Sequence, residues 1–205
     1  NRIARLNSDL TLHTTFNPVG TGPNGTVKAI LPLADGKVLI AGEFNSVNAV
    51  AGTAYIARLA STGAVDTGFV SLANTQIRDI ADAGNNTYWV AHANNYSGQQ
   101  SLVRVDDTGA KVATFSYSGN MTSSRIVPQP DGSTLSLGSN YPFIQKVQQT
   151  GALVPAWPNT GGYTPNSAVT AAFTYADGRS IIGGNSALSR PSGTCRSTVS
   201  RSSMR

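Results

Sequence analysis

The chain has 205 residues, of which 40% are hydrophobic and 12% are charged, about half the charged share that is usual in globular proteins. The ten acidic residues are nine aspartates and one glutamate, Glu43, and there are four lysines, although exposed helix faces are normally rich in Glu and Lys. This composition excludes a helix bundle, a coiled coil and a disordered tail, and it favours a soluble, β-rich protein.

The net charge of +5 is concentrated in one segment. Residues 190–205 contain four of the fifteen basic residues and no acidic residue, which leaves eleven basic and ten acidic residues elsewhere. A nucleic-acid-binding protein needs basic side chains clustered on one face of the folded body, so we expect no nucleic-acid partner. The sequence contains no run of 18 apolar residues, so it predicts no transmembrane segment. The single cysteine, Cys195, excludes an internal disulfide and a cysteine zinc site.

Four repeats begin near residues 3, 56, 102 and 144, each with the pattern aliphatic–x–basic–aliphatic. An aromatic residue stands 13 residues after each first aliphatic residue, and a Thr-Gly-Ala triplet precedes it in the last three repeats. The patterns are Ile3–Leu6, Ile56–Leu59, Leu102–Val105 and Ile144–Val147, and the aromatic residues are Phe16, Phe69, Phe115 and Trp157. Aromatic residues at one register position indicate a core rather than a stacking platform.

A tight turn follows between apolar segments in each repeat, at Asp35-Gly36, Asn85-Asn86, Asp131-Gly132 and Asp177-Gly178. These pairs predict β-hairpins with type I′ turns. The returning strand, such as Val38–Gly42, is apolar on both faces, which is typical of a strand between two neighbouring sheets. Each repeat therefore predicts a four-stranded antiparallel sheet that stacks on its neighbours, as in an all-β propeller blade. A parallel β-helix is the second choice, because it would have shorter coils and no Asp-Gly hairpins.

The first complete repeat resembles the bacterial delta-60-repeat β-propeller family. The matching segments are Val27–Ile30, Asp35–Phe44, Ile56–Leu59 and Val65–Phe69. The resemblance extends over essentially residues 3–184 and weakens after the first unit. It implies a propeller fold and carries no catalytic motif. Because such propellers are expected to have more than four blades, we predict that residues 1–189 are a fragment of a larger propeller. Residues 190–205 are predicted to be a degenerate basic Ser/Arg-rich end. The alternative is a four-bladed ring.

No catalytic, cofactor or metal motif stands out in the sequence. Glu43 has no obvious second carboxylate, His13 and His92 lie in separate repeats, and the turn at 106–109 is too short for a calcium loop. Most aspartates are hairpin residues, where Asp pre-organises the turn. We therefore expect no enzymatic activity, no cofactor and no bound metal.

The loops that follow the second strand of each hairpin vary most in length and are rich in amides and tyrosine. Variable loops on one face of a propeller are where binding is built, and amides and tyrosine suit a glycan or a protein surface. The simpler interpretation is an ordinary polar loop in which Asn tolerates a left-handed backbone. The candidate ligand-binding residues are Asn45, Asn48, Asn94, Asn95, Tyr96, Asn140, Tyr141 and Asn185.

Together, the repeat, the low charge and the polar loops predict a non-enzymatic, bacterial, secreted or cell-surface propeller that binds a protein or a glycan. One alternative is a structural subunit of a surface filament that self-assembles through open blade edges. A second alternative is a polysaccharide-acting enzyme, which requires two carboxylates roughly 5–10 Å apart at the propeller mouth.

Overall fold

The computed structural model describes residues 2–17, 20–96, 100–113, 122–140, 142–154, 164–185 and 188–189, with the backbone alone for 94–96, 100, 164 and 188–189. These residues form β-strands, turns and loops and include no helix. The strands are β1 Val27–Pro32, β2 Val38–Gly42, β3 Ile56–Leu59, β4 Ile77–Gly84, β5 Thr87–Tyr96, β6 Gln100–Val105, β7 Ser123–Pro128, β8 Thr134–Gly138, β9 Ile144–Val147, β10 Thr164–Pro165, β11 Val169–Thr174, β12 Ser180–Gly184 and β13 Leu188–Ser189. The predicted degenerate end at 190–205 lies outside the described residues.

Antiparallel sheets follow one another along the chain in one repeated register. Blades 1, 2 and 3 have the strand orders β1-β2-β3, β4-β5-β6 and β7-β8-β9, and β11 with β12 forms the two-stranded blade 4. The pairing runs from Pro32↔Val38 to Val27↔Gly42 in blade 1 and from Thr174↔Ser180 to Val169↔Gly184 in blade 4. The first strands of consecutive blades contact each other, so the blades form an arc whose inner side is lined by first strands. This all-β propeller arrangement confirms the fold prediction.

The middle strand of each three-stranded blade is buried on both faces, as predicted. Leu39–Ala41 of β2 and Trp89 of β5 have no exposed surface. Leu39 packs in one apolar layer with Ile80 of blade 2, and Trp89 packs in the next layer with Ile126 of blade 3. Burying a large apolar side chain contributes about 1.5–3 kcal/mol, so the contacts between blades are the main source of stability.

The fourth strand of each blade is shorter than the sequence suggested. It is reduced to a single bridge, such as Leu59↔Val65 in blade 1, with equivalents at Val105↔Lys111 and Val147↔Leu153. After the bridge, the chain turns where the Phe69 N–H donates to the Asp66 carbonyl. This turn carries Phe69, which is 2% exposed, into the layer between blades 1 and 2. The ladder stops because the chain delivers this aromatic residue to the core. The prediction that the recurring aromatic residues belong to the core is therefore confirmed for Phe69. Phe115 and Trp157 lie outside the described residues.

The hairpin turns are of two kinds. At Asp35-Gly36 the Gly36 N–H donates to the Leu33 carbonyl at 3.0 Å, Gly36 has φ +81°, and Asp35 Oδ1 accepts the Lys37 N–H at 3.1 Å. This is a three-residue loop with glycine in the left-handed position, and the other two Asp-Gly turns repeat it. The type I′ prediction is therefore wrong for the Asp-Gly turns, because the aspartate stabilises a negative φ. It holds for Asn85 and Asn86, which both have φ +53°.

In the first three copies of the four-residue pattern the basic residue is an arginine that contacts the blade that follows it. Its guanidinium donates to the backbone carbonyl that lies five residues after the start of the next pattern. The three contacts are Arg5 to Ser61 at 3.2 Å, Arg58 to Asp107 at 2.9 Å and Arg104 to Gln149 at 3.1 Å. Because one contact recurs at three successive junctions, the basic position of the pattern is a structural clamp between blades.

The first repeat has a leucine where the others have a glycine in the turn after the clamp. Leu10 has φ +66° and is 77% exposed, whereas Gly63 at the equivalent position has φ +85°. A left-handed backbone costs an ordinary residue roughly 1–2 kcal/mol. We therefore expect Leu10→Gly to raise the free energy of unfolding by about 1 kcal/mol in a urea titration. Leu10→Ala, which keeps the Cβ atom, should show no such gain, and an equal gain from both variants would contradict this explanation.

Candidate functional site

The loop of blade 1 after β2, residues 43–55, is held in place by side chains. Asn24 Oδ1 accepts the N–H groups of Asn45 and Ser46 at 2.8 and 3.1 Å. The Thr53 hydroxyl accepts the Val47 N–H at 2.9 Å and donates to the Val50 carbonyl at 2.7 Å. Side chains therefore hold the backbone of this loop at four positions, and the exposed Asn45 side chain stands on a pre-organised support.

Asn48, also predicted as a ligand-binding residue, braces the same loop. Its Oδ1 accepts the Gly22 N–H at 2.7 Å, and its Nδ2 donates to Asn17 Oδ1 at 3.0 Å. Asn48 is half-buried and has φ +50°, a conformation that Asn tolerates better than most residues. Both ends of its amide are engaged within the protein, so its contribution to the surface is to fix the loop.

The segment that follows the second strand has a different structure in blade 2. In blade 2, β5 continues to Tyr96 and pairs with Gln100, so the loop is an extension of the hairpin. Asn94, Asn95 and Tyr96 lie on this extension, and their side chains are outside the described residues, as is all of Tyr141. The described part of the predicted loop in this blade thus belongs to the strands β5 and β6.

Two further candidate amides lie at this end of blades 3 and 4. Asn140 is exposed, and its Oδ1 accepts the Thr122 N–H at 2.8 Å. Asn185 is exposed, and its N–H donates to the Ala168 carbonyl at 3.1 Å. The common register places the ends of all second strands at one side of the arc. We call this side, with Asn45, Asn140 and Asn185, the loop end.

A polar cleft of about 400 Å³ lies at the opposite side, between the hairpins of blades 1 and 2. Its lining includes three carboxylates, two amides and one phenol, contributed by Asp35, Asp82, Asp107, Asn85, Asn86 and Tyr88. In the sequence, Asp35 is a hairpin residue and Asp107 lies in the turn at 106–109, and no motif groups them with Asp82. The available signal was the departure of blade 2 from the repeat, with Asn85-Asn86 in place of Asp-Gly and an aromatic residue, Tyr88, where the other blades have Val38, Thr134 and Ser180.

The cleft carboxylates are already used by the fold. Asp107 pairs with the Arg58 guanidinium and accepts the Tyr88 hydroxyl at 3.1 Å. Burial, followed by this hydrogen bond to Asp107, raises the pKa of Tyr88. The Lys37 backbone N–H is the main cause that lowers the pKa of Asp35, and Asp82 Oδ1 accepts the Gly84 N–H at 2.8 Å. Proton transfer in glycoside hydrolysis uses an acid with a raised pKa, whereas the pKa of Asp35 is shifted in the opposite direction.

The remaining titratable candidates are separate from one another. Glu43 forms an ion pair with Lys28 at 3.1 Å on the surface. His92 is 2% exposed, and burial lowers its pKa to about 4. The carboxylate of Asp106 accepts the Thr108 and Ala110 N–H groups of its own turn. Within the described part of the chain, no group of three or more His, Cys, Asp or Glu side chains could hold a metal ion.

Residues 33–69 match the family model described as "Domain of unknown function (DUF5122) beta-propeller". This segment contains the Asp-Gly hairpin, the loop 43–55, β3 and the turn that delivers Phe69, so the match agrees with the resemblance found in the sequence. No curated protein is significantly similar to the chain.

Comparison with solved structures gives one propeller of similar fold and a second, weaker alignment. The WD40 β-propeller domain of Doa1 is 16% identical and aligns with a TM-score of 0.57 over 82% of this chain and 52% of its own. The extracellular domain of the hybrid two-component system BT4673 from B. thetaiotaomicron is 12% identical over 90% of this chain and 33% of its own, with a TM-score of 0.41 that carries no fold argument. The chain therefore spans about half the length of the first propeller. In general, a propeller of this kind is a scaffold for interactions. The described residues include no helix long and apolar enough to span a membrane.

Proposed function

We propose that this propeller is a non-enzymatic, extracellular or cell-surface binding module of bacterial origin, which holds a glycan or a protein at its loop end. The observation that carries this proposal is the braced loop 43–55, where Asn24 and Thr53 accept backbone N–H groups of the loop, Asn48 ties it to Gly22, and Asn45 stays exposed. A loop that is fixed before binding loses little conformational entropy when it meets a ligand.

The chemistry of the loop end suits polar, uncharged ligands. Amide side chains both donate and accept hydrogen bonds, as sugar hydroxyls and exposed backbone groups do. Asn45, Asn140 and Asn185 lie on different blades, so the surface has the breadth of an extended ligand rather than of a single small molecule. The carboxylates of the hairpin-end cleft are engaged within the fold, Asp107 by Arg58 and Asp35 and Asp82 by backbone N–H groups of their own turns, which supports a non-enzymatic role.

The test compares one triple variant and one double variant on a glycan array and against intact bacterial surfaces. We expect Asn45→Ala/Asn140→Ala/Asn185→Ala to weaken binding at least tenfold, whereas Asp82→Asn/Asp177→Asn at the hairpin end leaves it unchanged. Binding that is lost only in the hairpin-end variant would overturn the placement of the site. Release of new reducing ends from any polysaccharide on the array would overturn the non-enzymatic assignment.

A further inference from the structure

Two arginine side chains on the inner side of the arc have no partner among the described residues. Arg78 lies on β4 and Arg125 on β7, and both are exposed. Within the part of the chain that the structure describes, neither side chain makes a hydrogen bond or an ion pair. Other cationic side chains are engaged by carboxylates, hydroxyls or carbonyl groups of the fold, namely Arg2, Arg5, Lys28, Lys37, Arg58, Arg104, Lys146 and Arg179. The guanidinium groups of Arg78 and Arg125 are therefore available to a ligand.

The fold ties the strands of these two arginines together. Asp79, the residue after Arg78, accepts the Ile126 N–H through Oδ2 at 2.9 Å. Ile126 directly follows Arg125 in the chain. Asp79 Oδ1 accepts the Ile80 N–H at 3.0 Å, so this half-buried carboxylate is used to join β4 to β7. The relative position of the two arginines is thus fixed by a hydrogen bond between blades 2 and 3. We call Arg78 and Arg125 the inner pair.

The inner pair lies toward the loop end of the arc. Val27, the first residue of β1, pairs with Gly42, after which the loop 43–55 begins. The first strands of blades 2 and 3 have the same register with their second strands. Arg78 and Arg125 are the second and third residues of their strands, so they lie near the ends where the loops begin. The same side of the arc therefore carries exposed amides on its loops and two arginines on its inner strands.

Blade 1 has an equivalent cation that is already neutralised. A β-bulge follows the first residue of each first strand, which places Lys28 of blade 1 at the position of Arg78. Glu43, at the start of the loop 43–55, pairs with Lys28 at 3.1 Å. The positive charge that a ligand can use is therefore concentrated on blades 2 and 3, and loss of the Glu43 charge would extend it to blade 1.

We propose that the ligand of the loop end is an acidic polysaccharide, whose carboxylates bind Arg78 and Arg125 while its hydroxyl groups bind the amides. This inference rests on the function proposed above and names the class of its ligand. A guanidinium group offers a planar fork of donors that matches a carboxylate with two parallel hydrogen bonds. A nucleic acid requires a broader basic face than two arginines beside a carboxylate provide. A polymer with both hydroxyls and carboxylates matches the amides and the inner pair together.

Polysaccharides that differ only in charge test this inference. We expect the unmodified chain to bind polygalacturonate or alginate in biolayer interferometry. It should bind the methyl ester of the same polymer about tenfold or more weakly, because esterification removes the charge and leaves the hydroxyls in place. Absence of binding to both acids, or equal binding of acid and ester, would overturn the inference.

Arginine variants locate the contact. Arg78→Gln/Arg125→Gln should weaken binding to the acid about tenfold or more, with an unchanged urea midpoint because both side chains are exposed. The matched control Arg5→Gln/Arg179→Gln removes the same charge from exposed arginines that are engaged within the fold, and it should leave binding unchanged. Arg78→Lys/Arg125→Lys should bind with intermediate affinity, because it keeps the charge and loses the fork. Equal losses in the two glutamine variants would show that net charge alone matters, which contradicts a site at the inner pair.

Glu43→Gln provides a test in the opposite direction. Removal of its charge frees Lys28 beside the inner pair, so binding to the acid should become about threefold tighter. Unchanged or weaker binding would contradict the placement of the ligand's carboxylates on the inner strands.

This inference and the proposed function fail in different ways. Binding that is lost in Asn45→Ala/Asn140→Ala/Asn185→Ala but kept in Arg78→Gln/Arg125→Gln would overturn this inference and leave the proposed function standing. Binding that depends on the arginines and not on the amides would overturn the placement of the site at the loop amides. Duplex DNA that binds as tightly as the acidic polysaccharide, and that also depends on the arginines, would assign the inner pair to nucleic acid instead.

Discussion

Replacement of Arg58 by alanine is expected to lower the free energy of unfolding by about 3 kcal/mol. The Arg58 side chain is almost fully buried, and its Nε donates to Asp66 Oδ2 at 2.8 Å. Its Nη1 donates to the carboxylate and the backbone carbonyl of Asp107, and the guanidinium lies 5.5 Å from the centre of the Phe69 ring. Breaking a buried ion pair costs about 3–5 kcal/mol, and the lower end applies because the Asp107 carboxylate is partly exposed.

The matched control is the same substitution one repeat earlier. Arg5 is exposed and donates to the Ser61 carbonyl, so Arg5→Ala should cost below about 0.5 kcal/mol. Arg58→Lys keeps the positive charge but loses the planar fork of donors. Its loss in free energy of unfolding should therefore lie between those of the two alanine variants. Urea titrations with an unchanged m-value measure all three. Equal costs for Arg58→Ala and Arg5→Ala would show that the clamp between blades contributes nothing specific.

The clamp also shows which part of the fold could be predicted from the sequence. The pattern that contains Arg58 recurs four times, and apolar spacing and turn residues are local signals, so the blades and hairpins could be located. The role of the arginine could not, because its partner Asp107 is 49 residues away and is brought near by stacking. The same reason explains the short fourth strand, since the position of Phe69 depends on the blade that follows.

The candidate site likewise has features that could be predicted from the sequence and features that could not. The variable loops could be located from repeat length, and Asn45 is exposed on its loop as expected. The bracing role of Asn48 depends on Asn17 and Gly22, which lie 31 and 26 residues away. The hairpin-end cleft combines side chains from separate repeats, so composition alone could not group them. Sequence periodicity identifies the scaffold, whereas contacts between repeats decide which polar residues are structural.

We expect His92 to make stability fall as the pH is lowered, and its environment explains the direction. Its side chain is 2% exposed and faces a small apolar cavity lined by Phe69, Ile77 and Val103. Burial is the main cause that lowers its pKa from 6.5 to about 4, and a hydrogen bond to the Thr75 backbone acts in the other direction. The unfolded chain therefore takes up a proton near pH 6.5, whereas the folded chain resists it until about pH 4. The contribution of His92 is complete above pH 6.5 and is lost as the pH falls toward 4.

We expect the free energy of unfolding to drop by about 2 kcal/mol between pH 7 and pH 5 because of this one group. Asp79 acts in the opposite direction: burial raises its pKa, so its protonation at low pH favours the folded state. The contribution of His92 is therefore isolated by comparing, between variants, the change in the free energy of unfolding from pH 7 to pH 5. His92→Gln, which keeps a donor and cannot titrate in this range, should remove most of the drop, whereas His13→Gln should leave it in place. A pH dependence that survives in His92→Gln would assign the loss of stability to other groups.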